Sequence, residues 1–94
     1  MSKELVLITN KFLIGEISAI DFVEIYIEKW RSERNAGLLL KDEPNLSETL
    51  STIFCYADLF NPENDREPYE YDECTLKNNI KKLIAEKKLF FYQD

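Results

Sequence analysis

Histidine is absent from the 94 residues, while glycine occurs twice, cysteine twice and proline three times. Each scarcity removes a class of function. Without histidine the chain lacks the commonest general base, the usual activator of a serine or cysteine nucleophile, and the commonest metal-binding side chain. With Gly15 and Gly37 as its only glycines, neither a GxGxxG turn nor a phosphate-cradling P-loop can be written. Cys55 and Cys74 stand 19 apart, with no second pair and no CxxC spacing. Two reduced, buried thiols are therefore expected, a structural disulfide being the alternative. A carboxylate-only hydrolase would need two acids held across a cleft, for which so small a helical chain has little room. The expectation is a protein that is not an enzyme and uses no metal or cofactor.

Long apolar runs are also missing. No stretch approaches the roughly 20 residues of a transmembrane helix. The opening MSKELVLITNKF has four apolar residues in a row, where a signal peptide needs about 7 to 15. A cytoplasmic location with no membrane contact is expected. What the chain does have is 45% apolar and 13% aromatic residues, enough for one core without disulfide or metal staples, so residues 1–94 are read as a single domain.

The net charge of −6 is unevenly placed. Residues 58–73 hold seven acids (Asp58, Glu63, Asp65, Glu67, Glu70, Asp72 and Glu73) and one base, Arg66, whereas the other 78 residues carry eleven of each. The whole excess sits in sixteen consecutive residues. Such a field repels nucleic acid and anionic lipid and attracts basic partners.

Apolar spacing outlines four helices around that segment. Ser2 is positioned to cap the first, in which Leu5, Ile8 and Phe12 recur with Val6 and Leu13 beside them, and Gly15 stops it. Ser18, followed by Asp21, opens the second, with a stripe of Ile20, Val23, Ile27 and Trp30 and with Phe22, Ile25 and Tyr26 alongside. Asn35, Gly37 and Pro44 bracket a break whose LLLKDE leucines are expected to tuck under the helices. Asn45 and Glu48 form a capping box for a third helix running through Leu50, Ile53, Phe54, Ala57 and Phe60 until Pro62 ends it. A fourth starts at Asp72 or Glu73 and carries Leu76, Ile80, Leu83 and Ile84, with Lys81, Lys82, Lys87 and Lys88 toward its end, charges that suit the helix dipole. The KKLFFYQD tail either extends this helix or docks as an irregular segment. The predicted fold is all-α, a compact antiparallel four-helix bundle.

The acidic segment FNPENDREPYEYDE admits three readings. As a calcium loop from Asn61 to Asp72 it fails at the sixth position, where Arg66 replaces the required glycine, and at the twelfth, where Asp72 replaces the bidentate glutamate. As a solvated face it is ordinary. As a binding surface it has tyrosines, Tyr69 and Tyr71, interleaved with acids, and two prolines that limit what the backbone loses on docking. Charge and composition leave the last two open.

The segment NPENDREPYEYDECTLKNNIKKLI resembles the signature of the colicin D-type immunity proteins, with Pro62, Asp65, Arg66, Tyr69, Glu70, Asp72, Leu76 and Lys77 in matching places. Upstream, FLIGEISAIDFVEIYIEKWR is similar to the family's second-helix region through its GxIxA turn and the Phe22, Tyr26, Trp30 spacing. The two segments cover about half the chain in the family's order. The resemblance implies an immunity protein that binds a cognate toxin domain, a basic tRNA-cleaving nuclease of a colicin or of a contact-dependent growth inhibition system, as a monomer in a 1:1 complex. Under it Asp58, Glu63, Asp65, Glu67, Glu70 and Asp72 supply charge, Tyr69 and Tyr71 are anchors, and Arg66 pairs with Asp65, Glu70 or Asp72 to shape the loop. Phe22, Tyr26 and Trp30 are assigned to the core. A rival of another class, an acidic adaptor or antirepressor that imitates DNA to sequester a basic regulatory protein, shares the same charge map.

Overall fold

A computed structural model describes residues 3–37 and 44–87, in four helices: α1 (Lys3–Leu13), α2 (Ala19–Asn35), α3 (Pro44–Asp58) and α4 (Glu73–Glu86). The expected cap at Ser2, the LLLKDE connection (residues 38–43) and the tail from Lys88 lie outside the described residues. Among the described residues no strand forms, and the one β-bridge is isolated. No described helix is long and apolar enough to cross a membrane.

Glycine ends α1 by geometry. Gly15 takes a left-handed φ of 85°, so its N–H reaches the Phe12 carbonyl at 3.1 Å and the Glu16 N–H reaches that of Lys11 at 2.8 Å. These two bonds satisfy carbonyls that the helix end would leave bare. α2 begins where Ser18 Oγ accepts from the Asp21 N–H at 3.1 Å, and Gly37, at φ 76°, follows its last turn.

The buried face of α2 is rotated from the expected stripe. Ala19, Phe22 and Tyr26 are buried and Val23 and Trp30 pack partly against them, whereas Ile20 is 50% exposed. Apolar side chains surround much of α2, so spacing alone defines more than one possible face. The small Ala19 is the one sealed at the start of the helix. α3 corrects two expectations. It begins at Pro44, which suits a first-turn position that needs no N–H donor, and Asn45, the expected cap, instead donates from Nδ2 to the Lys87 carbonyl beyond α4 at 3.1 Å. α3 also stops at Asp58 rather than running through Phe60, which the backbone bridge described below takes out of the helix.

Both cysteines are free, as expected, but exposed rather than buried. At 100° per residue, Cys55 lies two positions from buried Ile53 and Ala57, and Cys74 two positions from buried Leu76, which places each on the far side of its helix.

Each helix packs against two others, α1 on α2 and α4, and α3 on α2 and α4. Between them Phe12 stacks on Phe22 at 4.5 Å and Phe22 leans on Tyr26 at 5.3 Å, over Leu5, Leu50, Ile53, Leu76, Ile80 and Ile84. Each of these side chains contributes about 1.5–3 kcal/mol by leaving water. The Tyr26 hydroxyl, fully buried, donates to the Leu50 carbonyl at 2.6 Å and so joins α2 to α3. Burial, with the Glu33 charge adding to it, pushes the Tyr26 phenol well above its ordinary range, which favours the protonated form that donates this bond. At one edge Trp30 stacks on Phe54 at 4.2 Å, with the Arg34 guanidinium 5.1 Å from the indole centroid.

Tyr26→Phe removes a buried donor without opening a cavity, and Ile53→Ala opens a cavity without disturbing a polar pair. In urea unfolding followed by circular dichroism, the first is expected to cost about 1–3 kcal/mol and the second about 2–5 kcal/mol, with native helicity unchanged in both.

Candidate interaction surface

The chain from Leu59 to Asp72 leaves the end of α3 and returns to the start of α4 at nearly the same place. Phe60 and Tyr71 form the parallel bridge: the Asn61 N–H donates to the Tyr71 carbonyl at 2.9 Å and the Tyr71 N–H to the Leu59 carbonyl at 2.8 Å. Both aromatic rings pack against the core, Tyr71 tilted on Tyr56 at 5.7 Å. The acidic residues between them are thereby a closed loop on an apolar base.

Inside the loop, Asn61 is the hub. Its Oδ1 accepts the Glu63 N–H at 2.9 Å, the side-chain-closed turn that Asn favours. Its Nδ2 donates to Glu70 Oε1 at 3.2 Å and, more weakly, to Asp65 Oδ1 at 3.4 Å. Glu70 Oε1 also accepts the Glu67 N–H at 2.9 Å, while the Glu70 N–H returns to the Glu67 carbonyl. Arg66 reaches across the first half of the loop, where Nη1 donates to the carbonyls of Asn61 (3.1 Å) and Glu63 (3.0 Å). Its partners are thus backbone carbonyls and not the side chains of Asp65, Glu70 or Asp72. Turn carbonyls have no ladder to satisfy them, and a planar multi-donor guanidinium can serve two at once.

The loop joins the helices through two further carboxylates. Asp72 Oδ1 caps α4 by accepting the Thr75 N–H at 2.7 Å. Glu73 Oε1 accepts the Ala19 N–H at 3.1 Å, so the first residue of α4 supplies an acceptor to the N-terminus of α2. Acceptors at helix N-termini also meet the positive end of the dipole.

Hydrogen bonding tunes these acids. The Glu67 N–H, then the Asn61 amide and the Arg66 charge, hold Glu70 below its ordinary 4.5. The Thr75 backbone N–H, then the Thr75 side chain and Arg66, hold Asp72 below its ordinary 3.8.

The acids therefore divide. Glu70, Asp72 and Glu73 are committed to internal hydrogen bonds, Asp65 weakly so, while the side chains of Asp58, Glu63 and Glu67 make none among the described residues and are exposed. The tyrosines divide likewise: Tyr69 is 66% exposed, whereas Tyr71 is half-buried against Tyr56. Among the described residues no three acidic or thiol side chains converge closely enough to hold a metal ion. Asn61 and the reach of Glu73 to α2 were missed in the sequence. For Asn61 a signal existed, an Asn at a helix end with Asp and Glu four and nine residues on. For Glu73, whose partner is 54 positions away, none did.

A family model described as bacterial self-protective colicin-like immunity matches residues 1–87. The chain belongs to that family. A comparison with curated proteins returned no match. Membership implies an immunity protein that binds and neutralises a cognate toxin, in a family whose members are in general non-enzymatic inhibitors. For this immunity protein, residues 58–73, which hold the whole excess of negative charge, are the candidate surface for a partner.

Because Glu70 titrates below a free carboxyl, its bonds strengthen the loop fully above about pH 4.5 and are lost as pH falls through the depressed value. The Glu67 amide resonance is expected to shift with a midpoint below 4.5, and Glu70→Gln should abolish that transition while the variant's α1 and α2 amides at neutral pH match those of the wild type.

Proposed function

We propose that this immunity protein neutralises a nuclease toxin, one that cleaves tRNA, by seating its acidic loop in the cleft where the enzyme holds RNA phosphates. The observation that carries this reading is the concentration of the whole charge excess, seven acids against one base, in sixteen residues that run from the last residue of α3, through one hydrogen-bonded loop on the apolar core, to the first residue of α4. A nuclease must line its cleft with lysine and arginine to bind a polyanion. A fixed array of carboxylates offers those cations the same kind of partner. Blocking then needs no reactive group from the inhibitor, consistent with a chain that has no histidine. The tRNA target and the setting, a colicin or a contact-dependent growth inhibition system, follow the colicin D-type resemblance of residues 61–84.

Within this reading Asp58, Glu63 and Glu67 supply uncommitted outward charge. Asp65, Glu70 and Asp72 supply charge while also holding the loop, and Tyr69 is the exposed aromatic anchor. Tyr71 serves from beneath, and Arg66 keeps the first half of the loop in shape. Complex formation is 1:1 and takes place in the cytoplasm, where tRNA is cut. Charge complementarity of this kind acts chiefly on encounter, with association rates that reach roughly 10⁸ M⁻¹s⁻¹ at low salt. The DNA-imitating adaptor shares the charge map, but the family match gives it no support.

The direct test uses the toxin domain encoded beside this gene, in pull-down and in a tRNA cleavage assay with and without the protein. Glu63→Lys with Glu67→Lys reverses two charges that make no internal bonds, so helicity is expected to be unchanged while association slows roughly tenfold or more. Raising salt from about 50 to 500 mM should slow association of the wild type far more than it speeds dissociation. An association rate indifferent to both changes would remove the acidic loop from the interface.

A further inference from the structure

Beside the loop lies an open groove of about 310 Å³. It runs between the N-terminus of α2, the first half of the acidic loop and the start of α4. Its apolar lining comes from Ile20, Phe60 and Pro62, its carboxylates from Asp72 and Glu73, and the exposed Asn64 adds to its border. Ile20 is the residue that the expected α2 stripe would have buried, and half of its surface is bare.

We propose that this groove seats one long basic side chain, arginine or lysine, of the toxin, its methylene stem against Ile20, Phe60 and Pro62 and its charged head at Asp72 and Glu73. The proposal rests on the acidic-loop reading and deepens it by naming a socket. Size comes first: the volume is at the bottom of the range of about 300–1,000 Å³ for small-ligand sites, which suits one extended side chain better than a larger group. The lining then selects its chemistry. Apolar walls ending at carboxylates match a side chain that is aliphatic along its stem and cationic at its tip.

Charge excludes the alternatives. Asp72 and Glu73 are held in place by the Thr75 and Ala19 N–H groups. An anionic occupant would face them within a segment whose balance is −6. A wholly apolar occupant would take both carboxylates out of water without a counter-charge. Arg66 also lines the groove, yet its Nη1 is bound to two loop carbonyls, so it braces the wall and leaves the acids in the majority. Arginine is also among the residue types enriched where a few contacts dominate an interface.

The first test needs no toxin. In an n-butylguanidinium titration followed by amide NMR, saturable shifts are expected at Ala19, Ile20, Asn64 and Glu73, with a millimolar dissociation constant. Asp72→Asn, which keeps the helix cap and removes the charge, should weaken binding several-fold. Asn64→Trp, which fills the groove from an exposed position, should abolish it, with the spectrum elsewhere unchanged. Equal shifts with n-butanol, or unsaturable shifts scattered over Asp58, Glu63 and Glu67, would overturn the socket.

The second test uses the toxin domain. Asn64→Trp is expected to weaken the complex by about tenfold or more, and mutant cycles with Asp72→Asn should couple to a single basic toxin residue. If Asn64→Trp binds as tightly as wild type while Glu63→Lys with Glu67→Lys fails to bind, the socket is wrong and the acidic loop stands. If all these variants bind normally, both fall.

Discussion

The backbone bridge between Phe60 and Tyr71 is the constraint on which the rest of this surface depends. Like charges in a flexible segment would drift apart and drag the ends of α3 and α4 with them. Two short hydrogen bonds, from Asn61 to the Tyr71 carbonyl and from Tyr71 to the Leu59 carbonyl, bring the ends of the segment together. The aromatic side chains at the bridge then pack on the core, so opening it would expose apolar surface as well as break backbone bonds. The stability of the helical core is in this way extended to the base of a loop that has almost no apolar content of its own.

Above that base, repulsion is limited by how the acids are used. Glu70 accepts from Asn61 and the Glu67 N–H, Asp72 from Thr75, and Glu73 from Ala19, each facing the positive end of a dipole instead of another carboxylate. Arg66 adds the one positive charge of the segment, and its attraction for Glu70 and Asp72 contributes to their lowered titration. Negative charge is thus also a structural material here. Asp58, Glu63 and Glu67 are left to present their charge outward at little cost, because water still solvates them.

Much of this was legible in the residues. Gly15 and Ser18 marked the α1–α2 turn because a left-handed residue and a hydroxyl cap are chemically specific, and Asp72 marked the start of α4 for the same reason. Apolar periodicity located α4 and most of α3. It could not orient α2, where Ile20, Phe22, Val23, Ile25, Tyr26 and Ile27 leave more than one plausible buried face, and the choice of Ala19, Phe22 and Tyr26 depends on what the other helices present. The same dependence hid the groove, since its walls come from three parts of the chain and the spacing of its rim residue Ile20 reads as core. Burial of Cys55 and Cys74 was expected from residue type, but helix phase overrode that tendency. Arg66 was legible as a brace and illegible in its partners, because sequence counts its acidic neighbours and does not reveal carbonyls left open by a turn.

A loop built this way bears on how an inhibitor can be both fast and specific. Long-range charge accelerates encounter with any basic surface and so distinguishes poorly between one nuclease and another. Discrimination requires groups whose positions are set before binding, since ordering them afterwards would subtract from affinity. In the proposed complex the uncommitted acids Asp58, Glu63 and Glu67 would act at long range, where precise placement matters least. Two of the committed ones, Asp72 and Glu73, stand where α4 starts, and they border an apolar lining from Ile20, Phe60 and Pro62. Under the proposed function, steering and recognition would therefore fall to different carboxylates of one segment. If the groove seats a toxin side chain as proposed, changes at Ile20 or Asn64 would alter partner choice without altering net charge, and the long-range field would be retained.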